Sequence, residues 1–141
     1  MVDRLRDSGA VTLSLVAVEN DRIVGHVLFT PVTIESDNAV HGALTLGPIA
    51  VLPSLQRRGI GSRLIEYAFE ECRRLGHRII VLVGHPEYYP RFGFVRAASR
   101  GLVCEYDVVR DEVWMVAELV SGALDGIGGV VRFRPEFAEA M

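Results

Sequence analysis

The sequence predicts an α/β fold of the mixed-sheet (α+β) kind, in the order β-β-β-α-β-α-β-β. Three patterns carry that prediction: alternating apolar runs before residue 52, a helical apolar period from Gly59 to Leu75, and an unbroken apolar run from Ile79 to Val83. The first run, VTLSLVAV over Val11 to Val18, alternates apolar and small polar residues as a half-buried strand does. A polar ENDR turn separates it from IVGHVLFTPVTI, so the two read as a hairpin. ESDNAVHG makes a second polar break, and ALTLGPIAV follows as a third strand of the same meander. Pro48 lacks a backbone donor, and beside Gly47 it predicts a bulge or an interrupted ladder there.

From Gly59 to Leu75, Ile60, Leu64, Ile65, Ala68, Phe69, Cys72 and Leu75 recur at three- and four-residue spacing, with Arg63, Glu66, Glu70, Arg73 and Arg74 between them. This is the stripe of an amphipathic helix. Arg73 and Arg74 suit the carboxyl end of its dipole, and Gly76 suits the position just past its end. IIVLV then predicts a strand buried on both faces. GHPEYYPRFGF leaves room for one short helix. GLVCEYDVV and EVWMVAELV are expected to form an antiparallel pair. In the tail, Leu124, Ile127, Val130, Val131, Phe133 and Phe137 supply enough apolar surface to dock.

A chain of 141 residues is expected to be one domain, residues 1–141, removing roughly 68% of its unfolded surface from water. A net charge of −3 argues against a general nucleic-acid-binding surface, and no apolar run approaches a membrane span of about 20 residues. MVDRLRDSGA lacks the apolar centre of a secretion signal, so a cytoplasmic location is expected. Cys72 and Cys104 stand in no CxxC pair, and His26, His41, His77 and His85 are scattered rather than set at i, i+4. Neither a disulfide scaffold nor a metal is expected from those spacings.

The segment LQRRGIGSRL combines glycines, arginines and a helix start, the ingredients of an anion-binding turn. A plain strand-to-helix connection with solvated arginines is the alternative. No Gly-Lys pair exists for a Walker A loop. A dinucleotide fingerprint would need a third glycine where Leu64 stands and an acidic residue where Val83 and Gly84 stand.

Gln56-Arg57-Arg58-Gly59-Ile60-Gly61 matches the pattern [QR]-x-x-G-x-[GA], preceded by Ile49-Ala50-Val51-Leu52-Pro53 and followed by the amphipathic helix. Tyr89-Pro90-Arg91-Phe92-Gly93-Phe94 matches Y-x-x-x-G-F. In this order and spacing the two resemble the GNAT superfamily of N-acetyltransferases, over about Val11 to Leu119. GHPEYYPRFGF and GALDGIGGVVRFRPEF are similar to its YhbS-like group of predicted acetyltransferases.

The resemblance implies the acyl-CoA N-acyltransferase fold and acetyl-CoA as cosubstrate, with a primary amine as acceptor attacking the thioester directly. It implies that the turn Gln56, Arg57, Arg58, Gly59, Ile60, Gly61 and Ser62 holds the pyrophosphate, and that the backbone of Ile49, Ala50 and Val51 pairs with the pantetheine arm. Tyr89 would be the acid that protonates the departing thiolate, a core tyrosine with a satisfied hydroxyl being the rival reading; Tyr88 is the adjacent alternative and is expected instead to pack. Family members usually begin with another strand and one or two helices walling the acceptor side. MVDRLRDSGA is expected to be only the end of the second helix, so the fold lacks its first strand and helix through truncation at the start, or a partner supplies that wall. Some members carry a Glu in the strand that here reads IIVLV; His85 and Glu87 are read as loop decoration, and no base is assigned. Cys104, without a paired His, reads as packing. Open sheet edges make a homodimer plausible. A catalytically impaired acyl-CoA-binding module is the rival reading, and a nucleotide-binding domain a third.

Overall fold

A computed structural model describes residues 2–4, 13–19, 22–51 and 60–133. β1 (Val2–Arg4), β2 (Leu13–Glu19), β3 (Arg22–Glu35) and β4 (Val40–Val51) form an antiparallel meander. Helix α1 (Ile60–Arg74) then leads to β5 (Ile79–Val83), which lies parallel to β4. Past β5 come β6 (Val95–Arg96), β7 (Leu102–Cys104), β8 (Trp114–Glu118) and β9 (Gly129–Phe133). The main path of the sheet runs β1-β2-β3-β4-β5-β8-β6.

β3 is long enough to use one edge twice. Its first part pairs with β2 and its last residues, Val32 to Glu35, pair with β9, while β4 occupies the other edge. The register between β3 and β4 shifts between Val27↔Ile49 and Phe29↔Leu46, which places the expected bulge at Gly47 and Pro48.

Strand alternation sorts the core into two layers. Val27, Phe29, Leu44, Leu46, Ile80, Leu82 and Met115 face the stripe Leu64, Ile65, Ala68, Phe69 and Cys72 of α1. Val32, Ile34, Ala43, Ile79, Val81, Trp114 and Val116 face Ala97, Leu102, Ala123, Leu124 and Val131 on the other side. Arg63, Glu66, Glu70, Arg73 and Arg74 lie exposed, as the helical period requires. Arg73 Nε donates to the Leu119 carbonyl at 2.7 Å, anchoring the helix end to the strand across from it. Gly76, with φ +93°, donates to the Arg73 carbonyl and ends the helix. Leu75, expected on the apolar stripe, instead lies beyond the last turn and is exposed.

Beyond Leu75, two expectations are corrected and one is refined. Val2–Arg4, read as the end of a helix, form a strand on β2. The short helix after β5 is a single 3-10 turn, Tyr89–Phe92, with Pro90 near its start and left-handed Gly93 at its end. The runs holding β7 and β8 are not antiparallel partners: β7 pairs in parallel with β9, and β8 lies between β5 and β6. Local turns explain the divergence. A left-handed Gly101 opens β7 and a 3-10 turn at Asp111–Val113 re-aims the chain before β8, so no tight hairpin joins the runs. Their contact is instead a side-chain bond, Trp114 Nε1 to the Leu102 carbonyl at 3.1 Å. The tail does dock through β9; Phe137 lies outside the described residues.

Two core features yield testable consequences. Burial, with Glu71 adding and Arg73 opposing, pushes the Cys72 thiol up from 9.0 to about 12. The unfolded chain therefore releases this proton near pH 9 while the native state keeps it. The stabilisation is complete below pH 9 and is lost as pH rises toward 12, at up to about 1.4 kcal/mol per pH unit. In urea titrations at pH 8 and pH 10, the protein is expected to lose more stability than its Cys72→Val variant. An equal loss in both would assign the pH dependence to other groups.

The second feature is Thr45, 1% exposed, whose hydroxyl and that of Thr30 directly opposite are the buried side-chain oxygens without partners among the described residues. Thr45→Val keeps the shape and removes the unpaired group, so it is expected to raise unfolding free energy by about 1 kcal/mol. A fall in thermal midpoint would show that the hydroxyl is bonded in solution.

Candidate active site

The ladder between β4 and β5 covers Leu44↔Ile80 and Thr45↔Val81 only. From Leu46 onward β4 continues to Val51 with its β3 edge paired, at Val27↔Ile49, His26↔Ala50 and Gly25↔Val51. The bulge at Gly47 and Pro48 is where the two parallel strands part. A Cβ on Gly47 would sit 3.3 Å from the Leu28 carbonyl oxygen, so the close approach of β3 at the bulge favours glycine. Beyond the fork, the edge of β4 that faced β5 carries backbone groups that the β5 ladder does not use. An extended polar chain could pair with them.

The sequence-expected site residues fall into groups. Ile49, Ala50 and Val51 lie on that stretch of β4. Gln56, Arg57, Arg58 and Gly59 lie outside the described residues. Ile60, Gly61 and Ser62 form the first turn of α1, where backbone N–H groups lack partners inside the helix and the dipole is positive. Together with α1, the fork gives an elongated site with a phosphate-compatible end.

Opposite that first turn stands the segment after β5. Tyr88 and Tyr89 both donate their N–H groups to the His85 carbonyl, forming a turn in which the two phenol rings meet edge-on. The Ser62 and Tyr88 hydroxyls are hydrogen-bonded at 3.0 Å. Tyr88 is half-buried, with ring contacts to Tyr89 at 5.0 Å and Phe92 at 5.4 Å. Arg91 lies over it at 4.6 Å and donates Nε–H to its carbonyl. Tyr88 thus packs as expected, but its hydroxyl also reaches α1, a contact between residues far apart in sequence that no local motif announces.

Tyr89 is buried in the same core layer as Leu82 and Phe94. Burial chiefly, and the neighbouring Tyr88 secondarily, raise its phenol above the ordinary value of 10.0. It is therefore a proton donor, not a base, across the neutral range. Gly84, just past β5, makes room for it: a Cβ there would lie 2.5 Å from Tyr89 Cε2. Nothing local in the sequence states this reason for a glycine at position 84.

His85 and Glu87 lie exposed and, with Pro86, Tyr88 and Arg91, line an open concavity of about 520 Å³. β5 carries no carboxylate. A second concavity, of about 510 Å³, includes His41, His77 and Arg78 at the carboxyl end of α1 and touches none of the expected site residues. Burial lowers the His77 imidazole there. Among the described residues no group of His, Cys, Asp and Glu is placed to hold a metal ion.

Comparisons with known proteins bear on the family and the fold. A family model for the acetyltransferase (GNAT) domain matches residues 11–96. The uncharacterized N-acetyltransferase YhbS of Escherichia coli K12 is 29% identical over 138 residues, covering 97% of this chain and 81% of the relative. A second E. coli K12 relative, the uncharacterized N-acetyltransferase YjhQ, is 34% identical over 82% of this chain and 65% of its own length. A crystal structure of E. coli YhbS in complex with CoA superposes with a TM-score of 0.85 at 28% identity, over 92% of this chain and 71% of that one. A Brucella melitensis GNAT acetyltransferase in complex with acetyl-CoA superposes with a TM-score of 0.70 at 34% identity, over 91% of this chain and 70% of that one.

Proposed function

The chain belongs to the GNAT acetyltransferase family, and from that premise we propose that it moves an acetyl group from acetyl-CoA to a primary amine of a small molecule or protein. The observation that carries the reading is the fork: β4 leaves β5 after Thr45, and the site continues past Ile49, Ala50 and Val51 toward the amino end of α1. Relatives with this fold and 28% and 34% identity are described in complex with CoA and acetyl-CoA.

In this reading the turn Gln56, Arg57, Arg58, Gly59, Ile60, Gly61 and Ser62 receives the pyrophosphate. The backbone edge of Ile49 to Val51 that the β5 ladder does not use pairs with the pantetheine arm and brings the thioester to the fork. Amine nitrogen attacks the thioester carbon, the C–N bond forms, and the C–S bond breaks with its electron pair on sulfur. Tyr89 gives the thiolate a proton, and the proton lost by the amine ultimately restores Tyr89. Holding both reactants in one cleft supplies much of the acceleration, because it replaces a bimolecular encounter. The absence of a carboxylate from β5 favours solvent as the first acceptor of the amine proton, and it also motivates the alternative of a catalytically impaired acyl-CoA-binding module.

The same reading takes residues 1–141 as one cytoplasmic domain and allows a homodimer through the sheet edges; no described helix is long and apolar enough to cross a membrane. Calorimetry with acetyl-CoA, followed by an acetyl-dependent thiol-release screen over amines, polyamines, amino acids and peptides, tests the proposal. Binding with turnover is expected. Binding without release by any acceptor would favour the module, and binding of NADH with none of acetyl-CoA would overturn both.

A further inference from the structure

We propose that the Tyr88 hydroxyl is a positioning group for the phosphate-binding turn: it donates to Ser62 Oγ and so turns the Ser62 proton toward the pyrophosphate. The inference rests on the acetyl-CoA reading above and names a residue that the family match leaves aside.

The geometry sets a choice of direction. At 3.0 Å either hydroxyl can be the donor. Each has one proton and two lone pairs, so whichever donates cannot donate elsewhere. A phenol O–H is a stronger hydrogen-bond donor than an aliphatic alcohol O–H, and its oxygen is the weaker acceptor. The favoured arrangement is Tyr88 O–H to Ser62 Oγ, which leaves the Ser62 proton free. Ser62 is in the first turn of α1, where backbone N–H groups and the helix dipole already favour an anion. A phosphate oxygen there would accept from Ser62 and strengthen the whole chain by polarisation, since each bond in a donor series reinforces the next.

The Tyr88 ring is held for this task. Tyr89 packs edge-on at 5.0 Å, Phe92 at 5.4 Å, and the Arg91 guanidinium lies over it at 4.6 Å. Arg91 also fixes the Tyr88 backbone through its 2.9 Å bond to the carbonyl. Little rotamer freedom remains to be lost when the ligand arrives, so the hydrogen bond acts at low entropic cost. Because Tyr88 and Tyr89 are chain neighbours, the same bond ties the segment carrying the acid to the helix carrying the phosphate turn.

The test compares two ligands that differ in the pyrophosphate. Acetyl-CoA carries it and S-acetylpantetheine does not. Tyr88→Phe keeps the ring and its contacts and leaves Ser62 able to donate, so it is expected to weaken acetyl-CoA by about 2- to 5-fold, the loss of orientation and polarisation of that donor rather than of a whole hydrogen bond. S-acetylpantetheine affinity, read by NMR titration, is expected to stay unchanged. Ser62→Ala should weaken acetyl-CoA at least as much, and the double variant should be no weaker than Ser62→Ala alone, since Tyr88 acts through Ser62.

Unchanged acetyl-CoA affinity in Tyr88→Phe would overturn the proposal. Equal losses for both ligands would do the same, by assigning Tyr88 a structural role. Additive losses in the double variant would separate Tyr88 from Ser62 and so overturn it as well. Failure of the unmutated protein to bind acetyl-CoA, seen before any variant is made, would instead remove the reading on which the proposal stands.

Discussion

Tyr89→Phe is expected to lower kcat for acetyl transfer by about 100-fold while leaving acetyl-CoA affinity within about twofold of the parent. The substitution is well suited to the site because it removes one atom and keeps the ring. That ring packs against Tyr88 at 5.0 Å and Phe94 at 5.8 Å and lies beside Gly84, so its packing should survive. What disappears is the phenolic proton. Burial raises the Tyr89 phenol above 10.0, which keeps it protonated at neutral pH and so able to act as the acid that the proposed mechanism requires. The loss should fall on kcat, because in the proposed mechanism the proton is needed only as the C–S bond breaks and this hydroxyl takes no part in the proposed phosphate and pantetheine contacts. The raised phenol also places the alkaline limb contributed by Tyr89 above pH 10 in the parent, and this limb should be absent from the variant. Equal rates for parent and variant, with an appropriate acceptor, would remove Tyr89 from the chemistry and leave solvent to protonate the thiolate.

Much of the framework behind this expectation is legible without coordinates, for identifiable reasons. Gly47 and Pro48 announce the bulge because proline cannot donate to a ladder, and the stripe from Leu64 to Cys72 announces the helix because burial of one face imposes its period. Both are local signals. The pairings of β7 and β9 are not, since they depend on the second half of β3 offering an edge that β2 leaves unused. A three-residue strand such as Leu102–Cys104 carries too short a pattern to name its partner. Sequence proximity then suggests β8, which β5 and β6 have already taken. The site divides the same way. The Y-x-x-x-G-F spacing singles out Tyr89 by resemblance alone, while the bond from Tyr88 to Ser62 joins residues 26 apart and exists only because the turn after β5 faces the start of α1. The role of Gly84 is also hidden, because the atom it excludes belongs to a ring five residues later.

That hidden role makes Gly84→Ala a substitution with large expected effects on both stability and rate. Gly84 adopts no left-handed backbone conformation, so alanine carries no conformational penalty there and the consequence is steric. The added methyl would lie 2.5 Å from Tyr89 Cε2, 3.0 Å from Cδ2 and 3.2 Å from Leu82 Cδ1. Leu82 can yield by a few tenths of an ångström, but the buried Tyr89 ring cannot bend away from its own backbone. The Gly84 N–H is fixed to the Val113 carbonyl at 3.0 Å, which holds the other side of the clash in place. Relief therefore requires the Tyr89 ring to rotate or the Tyr88–Phe94 segment to lift from the core. Overpacking of this kind costs about 1–3 kcal/mol, and displacement of the acid by about 1 Å can cost on the order of 100-fold in rate. Urea unfolding and acetyl-dependent thiol release on the same preparation read the two effects. A second substitution separates crowding from a backbone effect: Tyr89→Leu removes the ring edge, so adding Gly84→Ala to it should cost less than about 0.5 kcal/mol of further stability. If Gly84→Ala is as harmful on the Tyr89→Leu background as on the parent, the methyl meets something other than the ring, and the packing of Tyr89 against the end of β5 is not what sets its position.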